Sequence, residues 1–266
     1  MVRYGSIITD QPAIRKWGKH YTQDEVASFG IALFYSVSFE NDHRVKPIAI
    51  ADACADVLFY KNDRTGDAGA ELAGPVTSPS PIGFCFRPGY KYFGARFLSG
   101  HSPLFAKAAL SATVDRRIPL SEVCRNDDFT RHLLSNWNHH WQAQTFMDLY
   151  SDLFEHAEFS EKRALCGYIV NKFLESADDI NLTTLENETG YSRQYINGIF
   201  QEKVGFSVMR FGKVLRIHNL LQSLRDSQER GALASASYDL GFADQSHMIR
   251  DFKKYVGVTP TQFLAS

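Results

Sequence analysis

The chain has 266 residues, 44% of them hydrophobic and 22% charged, which is enough for a sizeable core in one large domain or two smaller ones. Its formal net charge of −1 excludes the whole-chain basic bias that usually marks a nucleic-acid binder, so any affinity for phosphate must come from where the positive charges sit. No apolar run approaches the roughly 18 residues of a membrane span, and the first twenty residues hold no uninterrupted apolar stretch of the signal-peptide kind. The expectation is a cytoplasmic protein without membrane partners. The four cysteines, Cys54, Cys85, Cys124 and Cys166, form no C-x-x-C pair and have no histidine nearby at metal spacing; they read as buried, reduced thiols.

Residues 1–115 read as a β-rich domain. The run 30–40 is dense in aromatic and β-branched residues, 47–62 holds a second apolar run, and 64–83 is a Gly, Pro, Ser and Thr-rich loop around a short extended piece. Short strands between Gly and Pro turns predict a small barrel or sandwich. Its inward aromatics Phe34, Tyr35, Phe59, Phe84 and Phe86, with Arg87 or Tyr92 as polar anchors, are the candidate effector contacts. Plain core packing is the competing reading, and Arg87, before Pro88 and Gly89, also fits a turn. Before Arg116 the histidines His20, His43 and His101 are isolated from one another. With no H-x-H pair, G-x-S-x-G or phosphate-binding loop, no catalytic residue, metal site or cofactor is expected.

From 116 to 159 apolar residues recur at helical spacing: Phe129, Leu133, Leu134, Trp137 and Trp141, then Phe146, Leu149 and Leu153. This predicts a helical connector of two helices with a break near 138–145. Two roles stay open for it, dimerisation with coupling, or packing on the barrel.

Residues 160–266 are helical throughout. An amphipathic helix starts after Ser160. A helix-turn-helix spans 181–205, with Gly190 at its turn and Ser192 as the cap of the second helix. A long helix capped by Ser207 follows, and a second unit spans 231–257, with Gly241 at its turn and Asp244 or Ser246 as cap. About 18 residues at 1.5 Å each put roughly 27 Å between the units. That suits two reading helices in successive major grooves, about 34 Å apart. From Glu161 onward there are 13 Lys and Arg against 12 Asp and Glu, so the domain itself is nearly neutral. The candidate DNA contacts are Arg193, Gln194, Asn197 and Gln201 in the first unit, and Gln245, Ser246, His247, Arg250, Lys253 and Lys254 in the second. Gln and Asn pair bidentately with adenine and Arg with guanine, whereas Lys serves phosphate.

The stretch GF-x-D-x-S-x-x-x-R-x-FK followed by G-x-x-P, here Gly241, Phe242, Asp244, Ser246, Arg250, Phe252, Lys253, Gly257 and Pro260, resembles the C-terminal motif of the AraC/XylS transcription regulators. More loosely, DACADVLF (52–59) with GFCFRPG (83–89) resembles the cupin-like N-terminal domain of one branch of that family. The resemblance implies an α+β chain: a β-rich cupin-like barrel, a helical connector, and an all-α double helix-turn-helix domain. It also implies double-stranded promoter or operator DNA as partner, activation through RNA polymerase, a homodimer, and a small-molecule effector at the N-terminal domain. The alternative is a ligand-independent regulator whose N-terminal domain only dimerises or binds a protein partner. Two departures stand out. Glu186 occupies a position where the family has a small Ala, and Gly198 one where it has Arg. A buried carboxylate is costly, so the first unit is expected to be rotated or partly open there, and Gly198 adds roughly 1 kcal/mol of helix penalty. Ser237, supported by Leu233 and Leu240, keeps the small residue in the second unit, which is expected to hold the more family-like contacts.

Overall fold

The computed structural model describes residues 11–12, 14, 18–39, 48–81, 86–105, 109–124, 127–157, 160–175, 180–226 and 240–265. The strands are β1 (Lys19–Ser28), β2 (Ile31–Ser38), β3 (Ile48–Ala49), β4 (Ala55–Lys61), β5 (Ala68–Ala73), β6 (Ser80–Pro81), β7 (Lys91–Phe97) and β8 (Arg117–Pro119). Six form one sheet in the order β1-β2-β7-β4-β5-β8, every neighbouring pair antiparallel, and β3 with β6 makes a separate two-stranded ribbon. The expected extended piece inside the Gly-rich stretch is β5, the hairpin partner of β4. Because β8 pairs with β5, the sheet runs past the expected boundary at 115.

Side chains alternate across the strands and both faces are covered. Phe34, Val57, Phe59, Phe93 and Phe97 share one core with Phe129, Leu133, Phe146 and Tyr150. The last four come from α2 (Asp127–Ser135) and α3 (His139–Glu155), which follow the short helix α1 (Leu120–Val123). Edge-to-face contacts such as Phe34 with Phe146 at 5.4 Å set the layer spacing. The break between these helices falls at 136–138, shorter and earlier than expected, because the Asn138 side chain accepts the Trp141 N–H and caps α3 at once. Of the two roles left open for this connector, packing on the sheet is what the described residues show.

The opposite face buries Leu33, Tyr35, Val37, Leu58 and Tyr92 with Ile14 and Phe86. Its floor is polar. Asp56 and Arg96 are cross-strand partners on β4 and β7, and Arg96 donates two hydrogen bonds to Asp56 at 2.7 and 2.9 Å. Arg96 also donates to Asp52 at 2.9 Å, Gln11 donates to Asp52 at 2.7 Å, and the Tyr35 hydroxyl donates to Asp56 at 3.2 Å. All five side chains are buried. Burial pushes the Asp56 carboxyl above its usual range, against the pull of Arg96.

The helices from Ser160 onward are α4 (Glu161–Glu175), α5 (Leu182–Thr189), α6 (Arg193–Val204), α7 (Val208–Asp226), α8 (Gln245–Val256) and α9 (Pro260–Leu264). Their core includes Ile169, Phe173, Phe200, Phe211, Phe252 and Tyr255, together with Ile50, Ala51, Ala53 and Cys54 from the sheet domain. Backbone groups tie the halves together. The Ala51 N–H donates to Tyr255 O at 2.9 Å, His218 Nε2 lies 2.8 Å from Ala51 O, and Arg210 donates to Thr77 O at 2.8 Å. Cys54, Cys124 and Cys166 are buried and form no disulfide among the described residues; burial raises the first well above the usual thiol range and pushes Cys166 up to about 12. Cys85 lies outside the described residues. Among the described residues no helix is long and apolar enough to cross a membrane.

Candidate nucleic-acid interface

The first unit is built from local chemistry. Asn181 caps α5 by accepting the Thr184 N–H at 2.9 Å. The helix ends at Gly190, whose φ of 73° needs a residue without Cβ strain, and Ser192 restarts the chain by accepting the Tyr195 N–H at 3.3 Å. Helix α6 buries Ile196, Ile199, Phe200 and Val204. Its other side, with Arg193, Gln194, Gly198 and Gln201, is exposed.

The second unit repeats the device. Gly241 turns at φ 65° and Asp244, not Ser246, is the cap, accepting the His247 N–H at 2.7 Å. Met248, Phe252, Tyr255 and Val256 face inward. Gln245, Ser246, Arg250, Lys253 and Lys254 are exposed. Arg216 of α7 braces the turn by donating to Gly241 O at 3.2 Å, with its guanidinium 5.4 Å from the Phe242 ring. The helix expected before Gly241, with Leu233 and Ser237, lies outside the described residues.

Three proposed contacts are engaged within the protein. Asn197 is half-buried and its Oδ1 accepts the Val208 N–H at 3.2 Å, so in this rotamer it is tied to the start of α7 and not fully exposed like its neighbours Arg193 and Gln194. His247 Nε2 lies 3.2 Å from Asp251 Oδ2, and its ring packs against Phe242. Arg193 donates to Glu186 at 2.9 Å. Glu186 itself is partly open, as its size and charge required, with 37% of its side chain exposed. It joins α5 to α6 by an ion pair where a small residue would let the helices touch. An ideal Cβ at Gly198 would meet nothing within 4 Å, so the space of a longer side chain is simply vacant.

Two residues were not singled out from sequence. Tyr191 and Tyr195 are exposed, and their rings stack at 4.9 Å beside the start of α6. Their i, i+4 spacing across the Ser192 cap was the available signal.

The candidate effector residues do not line one pocket. Phe34 and Phe59 belong to the core under α2 and α3, whereas Tyr35, Phe86 and Tyr92 lie on the opposite face. Neighbours on a strand point to opposite sides, and Phe34 with Tyr35 shows it. Arg87 is not an inward anchor; it lies partly exposed between Tyr60 and Tyr90, 4.4 and 4.3 Å from their ring centres. Phe84 lies outside the described residues. Tyr35 and Phe86 line a cavity with Gln11, Asp52, Asp56 and Arg96, but its volume is only about 30 Å³. That holds about one or two waters.

The helix-turn-helix domain family matches residues 185–266. Over 91 residues the chain is 29% identical to the probable transcription factor PqrA of Proteus vulgaris, covering 34% of this chain and 72% of that protein. It is 27% identical over 160 residues to the uncharacterized HTH-type transcriptional regulator YbfI of Bacillus subtilis, covering 56% of this chain and 54% of YbfI, so it spans about half the length of that relative. A crystal structure of ToxT from Vibrio cholerae aligns with 93% of this chain and 98% of its own at 10% identity and a TM-score of 0.42. With two capped helices, their turn glycines and the full C-terminal motif in place, the C-terminal part of the chain is a helix-turn-helix domain of the kind found in AraC/XylS-type DNA-binding transcription regulators.

Proposed function

We propose that this regulator reads a promoter with both units, chiefly through Gln194, Gln201, Gln245 and Arg250 at bases and Ser246, Lys253 and Lys254 at phosphates, and that it activates transcription with RNA polymerase. The carrying observation is the pair of capped helices, α6 and α8, each with its apolar side buried and a row of amide and basic side chains exposed. Helix α7 has 19 residues, a rise of about 28 Å at 1.5 Å each, which suits readers in successive grooves. Capped helix N-termini add backbone N–H groups that favour phosphate. Such a protein works in the cytoplasm, on double-stranded DNA.

The N-terminal domain supplies control. Its backbone at Ala51 bonds both α7 and α8, so a change in the sheet domain reaches the second reader directly. A small-molecule effector entering the cavity between Tyr35 and Arg96 would have to open the polar floor around Asp52, Asp56 and Arg96, since that cavity holds only water-sized guests. That small volume favours a second reading, in which the domain dimerises or binds a protein partner without a ligand. Footprinting on the DNA flanking its own gene, with and without candidate metabolites, tests both. Protection of two adjacent groove segments on one face supports paired reading, and protection of one segment alone refutes it. A metabolite that shifts the footprint supports effector control, whereas a footprint indifferent to metabolites but dependent on protein concentration as a dimer supports the second reading.

A further inference from the structure

Two histidines and a carboxylate meet where the start of α3 touches the sheet edge. His139 and His140 are the first residues of α3, placed there by the Asn138 cap, and Asp24 stands on β1. Asp24 Oδ2 lies 3.0 Å from His139 Nε2 and 3.5 Å from His140 Nδ1, and one donor atom from each residue falls within 4.8 Å of the others. Ligands at about 2.0–2.2 Å from a tetrahedral ion are about 3.4 Å apart, so the two measured edges fit a shared ion. The His139 ring is fixed behind this point. Its Nδ1 lies 2.7 Å from Ser36 Oγ and its ring packs in a T-shaped contact with Phe93 at 5.9 Å. A serine hydroxyl both donates and accepts, so the Ser36 bond survives when Nδ1 carries the proton and Nε2 presents its lone pair. That second partner on the far nitrogen is the usual support of a metal-bound histidine.

We infer that Asp24, His139 and His140 form a three-ligand site for a divalent transition metal of the zinc class, clamping the start of α3 to strand β1. Two imidazoles and one carboxylate suit zinc, nickel or copper and not magnesium or calcium, which take oxygen donors. His140 is 79% exposed at its side chain, so the fourth position opens to solvent and water completes it. The positive end of the α3 dipole opposes a cation there, by an amount small beside three coordinate bonds.

The test is titration of the untagged, EDTA-treated full chain with zinc by calorimetry, and with cobalt(II) by its visible absorption, alongside thermal melts. One equivalent should bind, cobalt should give the intense bands of a tetrahedral site, and the metal should raise the melting temperature. H140A should lose at least tenfold in affinity yet melt as the wild type does without metal, because its side chain is exposed. D24N should lose at least as much, and S36A about tenfold. Absence of binding at 100-fold excess over protein, or one-to-one binding that H140A and D24N leave unchanged, overturns the site.

Discussion

At the scale of single residues, the two units differ in how much of their exposed face is free. Gln245 is exposed, and among the described residues no hydrogen bond or ion pair engages its side chain. Gln245→Ala is therefore expected to cost about 1–3 kcal/mol on the cognate site and almost nothing on random DNA, measured by competition gel shift; equal weakening on both would remove it from base reading. Gly198 offers the opposite case. Since its Cβ direction is empty, Gly198→Ala should raise unfolding free energy by about 1 kcal/mol in urea titration, through helix propensity alone. Caps were legible in the sequence because they are local: Ser192, Ser207 and Asp244 each act on a backbone N–H three residues on. The engagement of Asn197 by Val208 was not, because it joins residues 11 apart through a fold that the motif does not encode.

At the scale of elements, the α5–α6 contact carries an ion pair in place of close packing. Glu186 draws the Arg193 guanidinium toward α5 and sets a negative charge beside the face proposed to meet DNA. Glu186→Ala should release Arg193, let the helices close, and tighten binding to any duplex, with a steeper dependence on salt as one more cation meets phosphate; unchanged affinity at low salt would show that the pair does not restrain Arg193. The sheet was legible at the level of strand-rich segments and turns. Which aromatics share a face was not. Phe34 and Tyr35 both read as inward; strand alternation parts them, and both are buried because helices cover one face while Ile14 and Phe86 cover the other. The polar floor was equally hidden, since Gln11, Asp52, Asp56 and Arg96 come together over separations of about forty residues.

At the scale of the whole molecule, one apolar core runs from the sheet domain into the helices that bear the readers. The chain should therefore melt in a single calorimetric transition, and two separable transitions would show that the halves are energetically independent. Its stability should also fall in mild acid. Burial, with Arg163 nearby, holds His101 below the usual histidine value near 6.5, and burial lowers His139 as well. The unfolded chain then takes up more protons than the folded one once pH drops below about 6.5, so stability declines from there downward. Melting temperatures between pH 7.5 and 5.5 check this, and H101Q should flatten the decline; a flat wild-type profile would contradict it.

The bond from the Ala51 N–H to Tyr255 O has a consequence for how such a protein is screened and how it drifts. It belongs to the main chain, so nearly every substitution at either position preserves it. An alanine scan passes over residue 51 by construction, because the residue is already alanine. Proline there deletes the donor, so Ala51→Pro should separate operator affinity from the fold of each half where side-chain libraries record silence. Over generations, the contact surface between the halves can change its side chains freely while this one linkage persists without any trace in residue identity.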